Sequence, residues 1–308
     1  ISVPFGSVTE WMVPDSVLFS AEFQNLSTTH ASFPASPDAN CLFERIEIRV
    51  GVTLVEFITE SARFNDLFMR LTMTPTKTLN LAQIGFGTQV PTAVVDWSSS
   101  QNHAAKTVPA NGVKRIHWKC NLSGLLSQSK WLPLYALSQQ GVVVNFYLAP
   151  ATESMIQSDA GITYSQTFLL RDCKALCTMA VISDELMESF QGNLLSGAAL
   201  RIPVKKIESM WSYLPTGVTT GKFDIPMSRS YTRLCSVWAS FTQELPDSGK
   251  AKLCNTFYVH PGSSESLEYS LQVGDRKIPD NASVGFSESW WRLMNAVGFA
   301  GSLAHSTG

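Results

Sequence analysis

The chain has 308 residues, of which 44% are hydrophobic and 16% charged, with a formal net charge of -2. That balance provides no basic field to hold nucleic acid, and no run approaches the ~20 apolar residues needed to span a bilayer. The charged fraction lies well below the ~25% usual in soluble domains; with 19 Gly and 15 Pro it points to a β-rich chain that buries much of its surface, part of it against other chains.

The length suits two domains or one large one. The first residue is Ile1, and the opening stretch has neither the charged nor the apolar region of a signal peptide, so the chain reads as processed or excerpted. Cys41, Cys120, Cys173, Cys177, Cys235 and Cys254 follow neither a disulfide-framework nor a zinc spacing. They are expected to be reduced and mostly buried. Asn25, Asn121 and Asn281 head N-x-[ST] sequons that carry little weight without a secretory signal.

Residues 1–14 read as an irregular arm broken by Pro4 and Pro14. A first strand is predicted over 16–23 and a Pro-containing loop over 28–40. In 42–50, Arg45, Glu47 and Arg49 alternate with Ile46, Ile48 and Val50, the period of a strand with one core face. Gly51 turns the chain into a second strand over 52–58. The period then lengthens: Phe64, Leu67, Phe68 and Leu71 form a helical stripe, with Thr59 as N-cap. Ile46, Ile48, Phe64, Leu67 and Phe68 are expected in one core.

Residues 74–112 form a long polar stretch holding Phe86, Val94, Val95 and Trp97, with a short strand possible around 93–97. Its length marks it as functional rather than a simple connection, placed at an outer surface or an interface. A strand over 113–122, the Ser123-Gly124 break, an apolar helix over 131–137 and a buried strand over 142–148 follow. Residues 151–161 read as a loop and 164–182 as one or two strands. Ser183 is the predicted cap of a helix that begins with Asp184 and Glu185, buries Leu186, Met187, Phe190 and Leu194, and ends at Gly197. It is the expected junction between two halves.

Strands are predicted in the second half at 199–204, 222–226, 234–242 and 256–260. A hairpin-like pair follows at 268–273 and 275–278, then a loop over 279–285. A helix capped by Ser287 carries Trp290, Leu293, Met294 and Val297 on one stripe. RIEIRVG at 45–51 and YSLQVGD at 269–275 each lead to a capped amphipathic helix. This echo suggests two copies of one β-sandwich in tandem. The expected fold class is all-β: two tandem jelly rolls with a few short helices, divided as 1–183 with its N-terminal arm, a helical junction at 184–198, and 199–308. Only 34 residues follow Gly274 and the 120–137 unit has no later counterpart, so the second roll is expected to be incomplete, with Trp238 and Leu271 partly uncovered.

Three stretches, LFERIEIRVGVTLVEFITESARFNDLF at 42–68, CNLSGLLSQSKWLPLYAL at 120–137, and YSLQVGDRKIP with ESWWRLMNAVG within 269–298, occur in an order that resembles the double jelly-roll major capsid proteins of large eukaryotic DNA viruses, virophages and polinton-like viruses. The resemblance implies two rolls side by side, a homotrimer with a pseudo-hexagonal outline, and trimers tiling an icosahedral shell. It places the chain in the virion. Its partners would be copies of itself and neighbouring capsomers, with penton and minor capsid proteins beyond them, and neither a specific nucleic acid nor a membrane span.

No G-x-S-x-G, P-loop, H-E-x-x-H or EF-hand pattern occurs, and no catalytic residue, metal or cofactor is assigned. His117 reads as a hydrogen-bonded sheet histidine before a metal ligand, and Cys173 with Cys177 as packing before redox chemistry. Asp184 and Glu185 read as helix-start acids before a glycosidase pair. Trp291 falls off the helical stripe and joins Phe86, Val94, Val95 and Trp97 as an interface candidate. The rival readings are a lectin-like carbohydrate-binding sandwich and a glycoside hydrolase on a β-sandwich.

Overall fold

The computed structural model describes residues 1–7, 9–72, 84–87, 107–137, 141–159, 161–199, 201–212, 224–227, 233–239, 241–242, 256–257 and 268–297. In chain order the strands begin with β1 (Ser2–Phe5), β2 (Trp11–Met12), β3 (Leu18–Asn25), β4 (Phe33–Pro34), β5 (Phe43–Val50) and β6 (Thr53–Thr59), then helix α1 (Ser61–Thr72). There follow β7 (Val113–Trp118), β8 (Leu132–Pro133), β9 (Val142–Leu148), a short α2 (Ala151–Ser154), β10 (Met155–Ile156), β11 (Ser158–Asp159), β12 (Ile162–Thr163), β13 (Phe168–Leu176), β14 (Met179–Ala180) and α3 (Asp184–Leu195). The last elements are β15 (Phe241–Thr242), β16 (Thr256–Phe257), β17 (Glu268–Val273), β18 (Arg276–Val284) and α4 (Gly285–Val297). The chain is β-rich, its sheets antiparallel, its helices few and short.

Two compact units share the chain: one of Ile1–Asp66, Leu79–Ser209 and Asp247–Cys254, the other of Leu67–Thr78, Met210–Pro246 and Asn255–Gly308. In the first, a sheet ordered β1-β9-β5-β6 packs on a sheet ordered β13-β3-β7. The last long strand pairs with the first (Phe168↔Asn25 to Leu176↔Leu18) and the strand before it with the next (Phe43↔Leu148 to Val50↔Val142). This nesting of outer and inner pairs on alternate sheets is the winding of a jelly roll.

Alternation fills the space between the sheets. Phe19, Ala21 and Phe23 of β3, Ile116 and Trp118 of β7, Ile46 and Ile48 of β5, and Val144 and Phe146 of β9 are all buried. The Phe19 and Phe146 rings meet edge-on at 4.7 Å, and Phe43 lies 4.9 Å from Trp118, so aromatic side chains of both sheets lock together.

Several expectations need correction. The first residues are not an irregular arm: β1 adds to the edge of β9, Ser2↔Asn145 to Phe5↔Val142, and Pro4 is tolerated because the strand is an edge. Gly141, just before β9, lies at φ +61, and a Cβ there would run into the Phe5 carbonyl. No α-helix spans 131–137; only a 3₁₀ turn remains at its centre. Pro133 lacks an N–H and holds its predecessor extended, so Leu132–Pro133 pairs with Trp11–Met12 and Leu134–Ala136 makes one 3₁₀ turn. Thr59 does not cap α1; Glu60, at φ +52, gives its carbonyl to Phe64 N at 3.1 Å. Ile46 and Ile48 are buried as expected; Leu67 is buried too but belongs to the second unit, and Phe64 and Phe68 are only half-buried. Asn65 takes a buried position instead, because it bonds Asp38 at 2.6 Å.

Helix α3 lies where predicted. Ser183 accepts Met187 N on its carbonyl and makes no side-chain cap, and Gly197 (φ +87) closes the C-terminus. No residue of α3 is fully buried: Leu186 is 53% and Leu194 37% exposed. Among the described residues of 199–239 no strand forms; residues 201–209 carry no regular secondary structure. In the second unit β15 pairs with β16, and β17 with β18. The strand β18 continues through the 279–284 stretch expected to be a loop. Trp238 and Leu271 are each partly exposed. α4 begins two residues before Ser287, with Glu288 accepting Val284 N at 3.0 Å.

Candidate functional site

The polar interior of the first unit is organised around two carboxylates. Asp38 accepts from Asn40 N and from both Asn40 and Asn65 side-chain amides, at 2.6–3.1 Å, and Asn121 Nδ2 donates to Asn65 Oδ1 at 3.4 Å. Glu56, facing inward from β6, accepts from Ser123 Oγ at 2.5 Å and Leu125 N at 3.0 Å. Burial pushes both carboxyls above their ordinary range against the pull of these donors. Cys120, buried beside them, is pushed up by desolvation and then by the two acids, which disfavours its thiolate.

This network pins the Ser123-Gly124 turn to β6 and α1. It does not form a cleft. The cavity beside it, lined by Cys41, Glu44, Glu60, Arg63 and Glu153, holds about 10 Å³, room for one water at most. Among the described residues no three His, Cys, Asp or Glu side chains are placed to hold a metal, and no helix is long and apolar enough to cross a membrane.

The outer sheet faces carry further polar clusters. On the β1-β9-β5-β6 sheet, Glu47 keeps only 8% of its side chain exposed and is bracketed by Arg45 at 3.3 Å and Arg49 at 3.5 Å. Tyr147 donates to it at 3.2 Å, and the Arg45 guanidinium lies 3.7 Å from the Tyr147 ring centre with Phe57 on its other flank. On the other sheet, Glu22 of β3 takes Arg171 from one neighbour strand and Arg115 from the other. Asp172, at φ +48 in a bulge of β13, takes Arg115 and Lys174, whose donated hydrogen bonds hold its carboxyl below the usual range.

Of the expected interface residues, Phe86 is placed in the core instead: it is 1% exposed and meets Phe23 edge-on at 5.1 Å, while Lys114 donates to its carbonyl. Lys114 is half-buried there, which lowers its ammonium. Val94, Val95 and Trp97 lie outside the described residues. Trp291 is 56% exposed, beside the Glu288–Arg292 ion pair and Asn295 in an open depression of about 400 Å³.

His117 stands opposite Ser20 in the sheet, and Asp184 and Glu185 occupy the first turn of α3. Cys41 and Cys120 are buried, but Cys173 and Cys235 are exposed and Cys177 half-buried, contrary to expectation; Cys254 lies outside the described residues. The Arg45–Glu47–Tyr147 cluster and the Glu56–Ser123 pair were missed. The signal for the second was present: Glu56 is the one charge in the β-prone run TLVEFIT.

No family model and no curated protein matches the chain. Among solved structures it is similar to the crystal structure of PBCV-1 VP54 fitted into a cryo-EM reconstruction of the virophage Sputnik, at 11% identity and TM-score 0.41, over 61% of this chain. The likeness spans 39% of that structure's chain.

Proposed function

We propose that the chain is a viral major capsid protein, a structural subunit with no catalytic task. In this reading two jelly rolls stand in tandem, 1–183 and 199–308 joined through 184–198, three copies form a pseudo-hexagonal capsomer, and capsomers tile an icosahedral shell in the virion. Neighbouring capsomers, with penton and minor capsid proteins, are the partners. The observation that carries it is the nested pairing of β3 with β13 and β5 with β9 around a closed aromatic core, in the stretch where the sequence resembles that family. A wall subunit needs rigidity and lateral surface rather than a cleft. The inward use of Asp38 and Glu56 to fasten a turn agrees with that need. Negative-stain imaging and native mass of the purified protein test it: trimers with a six-sided outline are expected, and a monomer at every concentration overturns it.

A second reading draws on one observation. Trp291, exposed beside Glu288, Arg292 and Asn295, is the combination of aromatic face and polar groups that stacks on a sugar ring. A lectin-like module would bind glycans on an array and lose that binding in Trp291→Ala.

A further inference from the structure

Sheet edges expose unpaired N–H and C=O groups that recruit another chain's strand unless they are blunted. The two large sheets of the first unit have four such edges. β1 is four residues long and carries Pro4. β7 carries Lys114, Arg115 and His117. β13 carries Arg171, Asp172 and Lys174 around its bulge. The fourth, β6, reads TLVEFIT. It has no lysine, arginine or proline, and its one charge, Glu56, is turned inward and buried. A register shift opposite Ile48 and Arg49 disturbs only its hairpin end. Leu54 and Phe57 are 44% and 42% exposed.

What lies along β6 is the stretch 205–209, which has no regular secondary structure and forms no ladder with it. Its far end is clasped: Ser209 Oγ accepts Thr59 N at 3.2 Å and donates to Thr59 O at 2.9 Å. One hydroxyl thus closes both groups that Thr59 turns away from β5. Its near end is seated on the Ser123-Gly124 turn, where a Cβ at Gly124 would overlap the Lys205 carbonyl. Between these points Lys206 lies near enough to Glu56 to favour its carboxylate, and is ion-paired with Glu208.

By strand alternation Phe57 turns its main-chain groups the same way as Thr59, two residues on. A second β6 is the strand that fits there. Two TLVEFIT edges meet without charge, whereas two copies of β7 or of β13 would set Arg115 or Arg171 against its own kind.

We propose that residues 205–209 are an autoinhibitory strap: seated, they keep the edge of β6 from pairing with the β6 of a second copy, and lifted, they open it. The strap acts on pairing through one edge and stands apart from the capsid reading, which concerns trimers and shells.

The test uses the full chain. Ser209→Ala removes the clasp and Gly124→Ala unseats the near end; Phe57→Lys is then added to each. Sedimentation equilibrium should show either single variant self-associating about tenfold more tightly than the parent, the effect of roughly one hydrogen bond, and Phe57→Lys should erase the gain. Amide exchange at Phe57 and Thr59 should speed up in the dilute single variants. Folded Ser209→Ala with parental association and exchange overturns the proposal, as does a gain that survives Phe57→Lys. If Ser209→Ala does not fold, the same readings on Gly124→Ala decide.

Discussion

The hydroxyl of Ser123 donates to the Glu56 carboxylate at 2.5 Å, across 67 residues of chain. With Leu125 N on the other oxygen, this pair decides how the turn after β7 lies on β6. The acid is held as an acceptor in a place where burial disfavours its charge.

Glu56→Ala leaves the Ser123 hydroxyl and the Leu125 amide without their acceptor. The expected loss is about 1–3 kcal/mol of unfolding free energy, read from reversible urea denaturation. Glu56→Gln keeps an acceptor oxygen and should lose less.

The pH dependence follows from the raised folded-state values of Glu56 and Asp38. A folded state that holds its protons more tightly than the unfolded chain is favoured at low pH. The contribution is full below the ordinary values of 4.5 for Glu56 and 3.8 for Asp38, and is lost as pH rises through the raised ones. Urea midpoints should therefore fall from mildly acidic to neutral pH, and Glu56→Gln should flatten part of that slope. A wild-type midpoint that rises over the same interval contradicts this assignment.

Ile48 is fully buried in β5. Ile48→Ala should cost about 2–5 kcal/mol through lost burial and a residual cavity. A loss under about 0.5 kcal/mol would place the side chain on the outer face and reverse the register of the strand.

Phe86→Ala separates core from interface. The packing on Phe23 predicts a fall in monomer stability of about 3–5 kcal/mol, seen in the urea midpoint of dilute protein. Weakened association with an unchanged midpoint would restore the interface reading.

Asn25 is fully buried at the end of β3. It donates to the carbonyls of His30, Val108 and Pro109 and accepts Ser27 N. Asn25→Ala strands these groups and should lower thermal stability by about 1–3 kcal/mol; Asn25→Asp removes the donors and should do no better.

The hairpin of β5 and β6 and the helix after it were legible in the sequence because their signals are local. Alternation at Arg45–Val50 gives way to helical spacing, with Gly51 at φ +60 in the turn. β9 was legible for the same reason. The pairing of β1 with β9 was not: its partner lies some 140 residues away, and Pro4 pointed locally to a break. Phe86 looked like surface because it stands in a long, mostly polar stretch, yet it docks on Phe23. Trp291 was legible as exposed, since it stands off its helix's apolar stripe. The Ser209–Thr59 clasp had no signal at all, because a hydroxyl closing a strand edge leaves no periodicity behind.

The pairing of the first long strand with the last bears on synthesis. β3 is complete when Asn25 has been made, but its partner β13 ends at Leu176. At roughly 5–20 residues per second, the nascent chain carries half a sheet for many seconds. Closing a loop of that size sets a slow, high-contact-order step. Until it closes, Phe23 lacks the Phe168 ring that stacks on it, and that interval is when a chaperone has most to hold.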